Sequence, residues 1–381
     1  MYKYTLHLFA ACVICLAGCG QEQGSQQGGD ASGQDRSGLS YAKTFSLTEQ
    51  EGYTEVRVSE PWQGSSASAT YYLVPKGGAV PAELQGQAVI RTPVERVVAL
   101  STSYLPMIKM LGMAHTVMGF PDTSLIADDT YRSMAARKQL TDLGSGTQID
   151  RELLLDVQPE VVFGFGVGEP AAIERVLQAA DRHMIYNTDF LEEHPLGRAE
   201  WIRFFGAFYD RQALADSLFT AIHNRYDSLK QSAASQTHHP DVMASNLYGD
   251  TWYMPGGNSW GATFIEDAGG HYLWADSEGT GSLNLAFEPV LARAQNADVW
   301  LNVSNYKSLE EMGNADSRYR YFGPYKTGRV YNPLKKGTSA NGNKYYELGY
   351  ARPDLVLEDL IRIMQSEKVP DSLFHFYQKL N

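Results

Sequence analysis

The chain has 381 residues, 43% of them hydrophobic and 20% charged, with a formal net charge of −12. That length is enough for two or more lobes with cores of their own. An acidic chain without a basic block argues against nucleic acid, whose phosphates demand lysine and arginine patches, and leaves small ligands open.

The first element is a leader. Lys3 precedes the apolar run LHLFAACVICLAG, which is too short to span a bilayer. The run ends in Leu16-Ala17-Gly18-Cys19, the pattern of a bacterial lipobox. The expectation is a signal peptide over 1–18 and lipidation of Cys19. Cleavage before Cys19 removes Cys12 and Cys15, so the mature chain has no disulfide. Residues 19–40 read as a flexible tether, because GQEQGSQQGGDASGQDRSG holds no apolar residue larger than alanine. Anchor and tether together predict a protein of the cell envelope, held at a membrane on its extracytoplasmic side.

Residues 41–92 read as a β extension. YAKTFSLTE, YTEVRVSEPW and ATYYLVPKG alternate and are rich in β-branched and aromatic residues. Over 93–196 strands alternate with helices: VERVVALS, HTVMGFP, VQPEVVFGFG and HMIYNT are strands, with helices such as YLPMIKMLGM and AAIERVLQAAD between them. Such alternation predicts a parallel α/β lobe. Residues 197–236 repeat apolar residues at helical spacing, including Trp201, Phe204, Phe208, Leu218, Ile222 and Tyr226, and predict one or two long connecting helices. The α/β pattern resumes over 237–381. The fold class is therefore α/β, two Rossmann-like lobes bridged by a long helix, with an N-terminal β extension.

The two lobes echo each other. Each has a strand, a loop and a helix that ends in glycine, then a glutamate opening a short helix before the next strand: Glu152 in ELLLDVQPEVVF and Glu288 in EPVLARAQNADVWL. The stretch MPGGNSWGATFIEDAGG also contains Gly257-Asn258-Ser259-Trp260-Gly261, which matches the G-x-S-x-G elbow of serine hydrolases. Pro255 and Gly256 separate the strand from the motif, so the loop is too broad for that elbow. The better reading is a cleft-edge loop whose glycines let the backbone approach a ligand, beside the aromatics Trp252, Tyr253 and Trp260.

From about residue 93 to 365 the chain resembles the cobalamin and iron-complex binding proteins of bacterial ABC importers (class III periplasmic binding proteins). The segments that carry the resemblance are VERVVALSTSYLPMIKMLGMAHTVMGF, ELLLDVQPEVVFGFG, MPGGNSWGATFIEDAGG and LAFEPVLARAQNADVWL. It implies a ligand held between two lobes, limited lobe closure about a stiff helix, and no enzymatic activity. It also implies a permease with its ATPase as partner, docked through Glu152 and Glu288. Aromatics that line the cleft of the family's cobalamin binder align with Gly146, Phe165 and Ser282, and only Phe165 keeps a ring. The first expectation is therefore an iron-siderophore-type metal chelate, and the second a corrinoid (cobalamin) or haem. Loop positions at strand ends name the candidate contacts Ser103, Tyr104, Phe165, Trp252, Tyr253, Trp260, Tyr306 and Lys307. The loop KKGTSANGNKYYELGYARPD adds Tyr345, Tyr346 and Arg352, with Lys335 and Lys336 making it cationic.

No resident cofactor and no protein–metal site are expected: His238 and His239 lack a spaced partner ligand. The chain reads as a monomer. Two rival readings predict other behaviour. A serine esterase would use Ser259 with Asp354 or Glu358 and His375. A surface lipoprotein would bind a protein partner through its tether and the β extension over 41–92.

Overall fold

The computed structural model describes residues 38–144, 149–166, 172–335, 337, 342–366 and 368–381. The leader over 1–18, Cys19, the tether up to residue 37, Gly146 and Lys336 lie outside the described residues.

Phe45–Gln50 (β1) and Tyr53–Val58 (β2) form an antiparallel hairpin in which Phe45 pairs with Val58 and Gln50 with Tyr53. Ala69–Pro75 (β3) adds antiparallel to β2, and Val89–Thr92 (β4) adds parallel to β3. Phe45, Leu47, Val56 and Val58 are buried while residues between them stay accessible, the one-sided pattern of a sheet with a single covered face.

The first lobe is a five-stranded parallel sheet. Its strands are Val97–Ala99 (β5), Val117–Phe120 (β6), Thr141–Asp142 (β7), Val161–Gly164 (β8) and His183–Tyr186 (β9), in the order β7-β6-β5-β8-β9. All three residues of β5 and all four of β8 are buried, as expected of central parallel strands covered on both faces. The intervening helices are Tyr104–Met110 (α1), Asp129–Ala136 (α2), Arg151–Asp156 (α3) and Ala172–Ala179 (α4).

Three helices then connect the lobes: Pro195–Glu200 (α5), Ile202–Phe208 (α6) and Gln212–Ala234 (α7). Asp210, in the left-handed region at φ 53°, turns the chain between α6 and α7. The 23 residues of α7 span about 34 Å. Arg225 and Lys230 on α7 form ion pairs with Asp354 (2.9 Å) and Asp267 (2.8 Å), fastening it to the second lobe.

That lobe comprises Asp241–Ala244 (β10), Leu247–Tyr248 (β11), Thr251–Pro255 (β12), Trp260–Asp267 (α8), His271–Tyr272 (β13), Ser282–Leu285 (β14), Phe287–Ala294 (α9) and Val299–Leu301 (β15). It continues with Leu309–Ala315 (α10), Gly323–Thr327 (α11), Val330–Asn332 (β16), Lys344–Leu348 (α12), Pro353–Gln365 (α13) and Gln378–Lys379 (β17). Its main sheet has the order β13-β10-β15-β16-β17, parallel except for β17, and β11-β12-β14 form a separate antiparallel sheet. The connecting strands and helices match the predicted α/β architecture.

The β extension shares its core with the connecting helices. The ring of Phe45 lies 4.5 Å from that of Trp201 and 5.7 Å from that of Phe204. Two buried carboxylates clamp the entering chain. Glu200 accepts the backbone N–H groups of Ser40 (2.9 Å), Tyr41 (2.8 Å) and Ala42 (2.8 Å) and pairs with Arg203. Glu192 accepts from the N–H groups of Lys43 (2.9 Å) and Thr44 (3.1 Å), the Thr44 hydroxyl (2.6 Å) and Trp201 Nε1 (3.1 Å).

Candidate ligand-binding cleft

In open α/β sheets the loops at the carboxyl ends of the strands form the ligand crevice. In the first lobe these are Ser101–Ser103 after β5, Phe165 after β8 and Asn187–Phe190 after β9. From the second lobe come the glycine-rich turn before α8, and α12 with Tyr350.

The two sets meet at Arg198 of α5. The side chain is nearly inaccessible, with 4% of the residue exposed. Its guanidinium packs against two adjoining rings, 4.3 Å from the centroid of Trp260 and 4.4 Å from that of Tyr350. Stacking a planar cation on ring faces is favourable, and more so away from water. Nη2 donates to the Phe190 carbonyl (2.9 Å), while buried Nε and Nη1 have no hydrogen-bond partner. Asn187 Nδ2 and Thr188 Oγ1 are also buried and unpartnered. Four such atoms within one short stretch stand out, because buried polar atoms are ordinarily bonded.

Asp189 lies in the same stretch, buried, and accepts from Ser103 Oγ (3.0 Å). Burial pushes its carboxyl up to about 6, against the pull of the Arg198 charge and the Ser103 hydroxyl. Phe165, 40% exposed, stands edge-on to Phe190 at 6.3 Å. The seam thus combines accessible and half-buried rings with a buried cation that has two unpartnered nitrogens.

A second contact between the lobes runs through α12, which Asn343 caps by accepting from the Tyr345 N–H (2.9 Å). Glu347 crosses to the first lobe and accepts from the Ala127 N–H (2.7 Å). Burial holds its carboxyl up at about 7, and the neighbouring Asp128 adds to this; the Ala127 N–H and Lys344 act the other way. A cavity of about 300 Å³ lies beside this contact, between α1 and α12, with Lys109, Lys344 and Met110 in its walls.

Of the predicted contacts, Phe165 and Trp260 reach the seam, and Ser103 reaches it through Asp189. Tyr346 is exposed and neighbours Tyr350. Tyr253 is also exposed, but it faces Tyr248 across the β11–β12 hairpin, with ring centroids 6.5 Å apart. Tyr306 and Lys307 follow β15: the Tyr306 carbonyl accepts from Asn332 Nδ2 (2.9 Å), and Lys307 is exposed.

Four expectations need correction. Trp252 is wholly buried and stacks on Trp300 at 5.5 Å, with Nε1 donating to the Ala244 carbonyl. Alternation along β12 puts Trp252 inward and Tyr253 outward. Tyr104 is buried against Phe205, and Tyr345 against Phe376 and Tyr377. Arg352 precedes α13 and is held by Asp354 through Nε (2.8 Å) and Nη2 (2.6 Å), so its fork is filled. Arg198, Asp189, Phe190, Tyr350 and Glu347 were not singled out from sequence. The one available signal was a charged pair, Arg198 and Glu200, inside the apolar run PLGRAEWIRFFGAF.

Ser259 caps α8, its Oγ accepting from the Ala262 N–H (3.2 Å), and His375 Nε2 lies 2.9 Å from Glu358. The G-x-S-x-G match is a capping loop. His239 Nδ1 is 2.9 Å from the Gly269 carbonyl, and among the described residues no group of three or more His, Cys, Asp or Glu side chains could hold a metal ion. Glu152 and Glu288 are exposed in the first turns of α3 and α9. Each helix feeds a central strand, so both glutamates sit on the strand-carboxyl side of their lobes.

A family model described as Periplasmic binding protein matches residues 97–321. An uncharacterized lipoprotein of Methanocaldococcus jannaschii is 26% identical over 303 residues, covering 77% of this chain and 70% of the relative. The solved structure of a possible iron-binding (periplasmic solute-binding) protein from Staphylococcus epidermidis superposes with a TM-score of 0.56 at 16% identity, over 72% of this chain and 100% of that one. A periplasmic heme-binding protein from Roseiflexus sp. RS-1 gives 0.54 at 23% identity, over 71% and 98%.

Proposed function

This chain belongs to the periplasmic binding protein family, and on that premise we propose that it captures an iron-siderophore-type chelate between its lobes and delivers it to an ABC importer. The family's members are solute-binding proteins without enzymatic activity. They serve iron-complex, heme or vitamin B12 uptake, with an ABC permease as partner, on the extracytoplasmic side of the membrane.

The observation that carries the ligand reading is the seam at Arg198. A ferric chelate offers flat or ring-bearing faces and anionic oxygens. Phe165, Trp260 and Tyr350 supply rings, and the two unpartnered nitrogens of Arg198, buried until the seam opens, supply charge-assisted donors. A corrinoid or haem is the second reading, supported by the same rings and by the heme-binding neighbour. Cys19 is the proposed lipid attachment, and Glu152 and Glu288 the proposed docking points on the permease and its ATPase assembly. Exposed charges of this kind steer and orient a transient partner.

The test is tryptophan fluorescence titrated in parallel with a ferric siderophore, haem and cobalamin, corrected for ligand absorbance. Saturable quenching by one class, lost in Trp260→Ala, supports the reading and identifies the cargo. No response to any of the three rejects it.

A further inference from the structure

We propose that the second lobe carries another site, for a phosphate-type oxyanion, on the edge opposite the cleft. A cavity of about 460 Å³ lies there, with Arg329, Lys368, Lys379, Thr327 and Asp298 in its wall. It sits where β15 and β16 begin, because Asp298 and Arg329 immediately precede those strands. It is therefore separate from the crevice at the strands' carboxyl ends.

Arg329 is the anchor, with 8% of the residue exposed. Nη2 donates to the Ile363 carbonyl at 3.0 Å. Nε is buried without a partner, and among the described residues Nη1 has none either. Lys379 is brought alongside by the strand register, which pairs it with Tyr331. Its Cε lies 4.0 Å from where a Cβ on Gly328 would stand. Lys368 adds a third cation.

Among the described residues the single acid in the wall is already engaged: Asp298 Oδ2 accepts from the Asp241 N–H at 2.9 Å. Three cations therefore share one cavity in a chain whose net charge is −12. Like charges held together repel, and a tetrahedral oxyanion would relieve this while accepting a charge-assisted hydrogen bond from the free Nη1. Free phosphate and the phosphate of an anionic lipid headgroup share this chemistry, and a protein held at a membrane meets both.

The test is calorimetric titration of inorganic phosphate at low ionic strength, with co-sedimentation on phosphatidylglycerol and phosphatidylcholine vesicles alongside. Wild type is compared with the double variant Lys368→Gln/Lys379→Gln. Both lysines retain solvent access, so the variant keeps the fold, which its melting curve verifies. Saturable phosphate binding weakened about tenfold in the variant establishes a free-oxyanion site. Sedimentation with phosphatidylglycerol but not phosphatidylcholine, reduced in the variant, assigns the site to lipid headgroups. If wild type binds neither, or the variant binds as tightly as wild type, the proposal is wrong.

Discussion

Two regions of this molecule bury charge and resolve it differently. At the β extension, Glu192 and Glu200 are saturated: backbone N–H groups, a hydroxyl, an indole and Arg203 surround them. At the seam between the lobes, Arg198 keeps two buried nitrogens without partners, and Asp189 and Glu347 are carboxyls pushed toward neutrality. A saturated buried charge fixes structure, since removing it strands every partner. An unsaturated one stores a recognition capacity that a ligand or a proton can complete.

The comparison breaks most readily at the clamp. Glu200→Ala takes the acceptor from three backbone N–H groups, while Arg203 keeps Asp216 and the Gly38 carbonyl, and denaturant unfolding should show a loss of ~3–5 kcal/mol. A loss below ~1 kcal/mol would mean that the extension is only loosely attached.

A pH effect of similar size is expected at the two contacts between the lobes. Folded Asp189 and Glu347 titrate at about 6 and about 7, above their ordinary values of 3.8 and 4.5. The folded chain therefore holds these protons more tightly than the unfolded chain does. Their stabilising contribution is full below the ordinary values and is lost as pH rises toward 7. Glu347→Gln should flatten the fall in stability between pH 4.5 and 7 by ~3 kcal/mol relative to wild type. Parallel curves would place Glu347 in an ordinary carboxyl environment.

Two tryptophans eight residues apart sharpen the contrast. Trp252→Ala should cost ~3–5 kcal/mol, because its ring fills the core beside Trp300. Trp260→Ala should cost no more than ~1.5 kcal/mol while weakening solute binding about tenfold or more. Smallest in stability are Glu152→Ala and Glu288→Ala, within ~0.5 kcal/mol, yet the pair should slow uptake in cells without changing solute affinity.

The sequence made the fold legible because its signals are local. Val97–Ala99 and Val161–Gly164 are continuous apolar runs, and Gln212–Ala234 repeats at helical spacing. The site was legible only where a residue's own neighbours betrayed it. Trp260 stood out in a glycine-rich loop, and Phe165 at a strand end. Trp252 looked identical in the same stretch, because which face of β12 turns inward depends on Trp300, a residue distant in sequence. Arg198 sits inside an apolar helical run, and only the meeting of three distant segments shows its use. The extension's clamp was equally hidden, since residues 40–44 find Glu192 and Glu200 about 150 positions later.

The most direct test of the central claim is calorimetric titration of the quenching chelate into wild type, Phe165→Ala, Trp260→Ala and Trp252→Phe. Solute held at the seam predicts saturable binding to wild type and Trp252→Phe, weakened by about tenfold or more in the other two. Equal affinity in all four proteins would place the solute elsewhere and contradict the account.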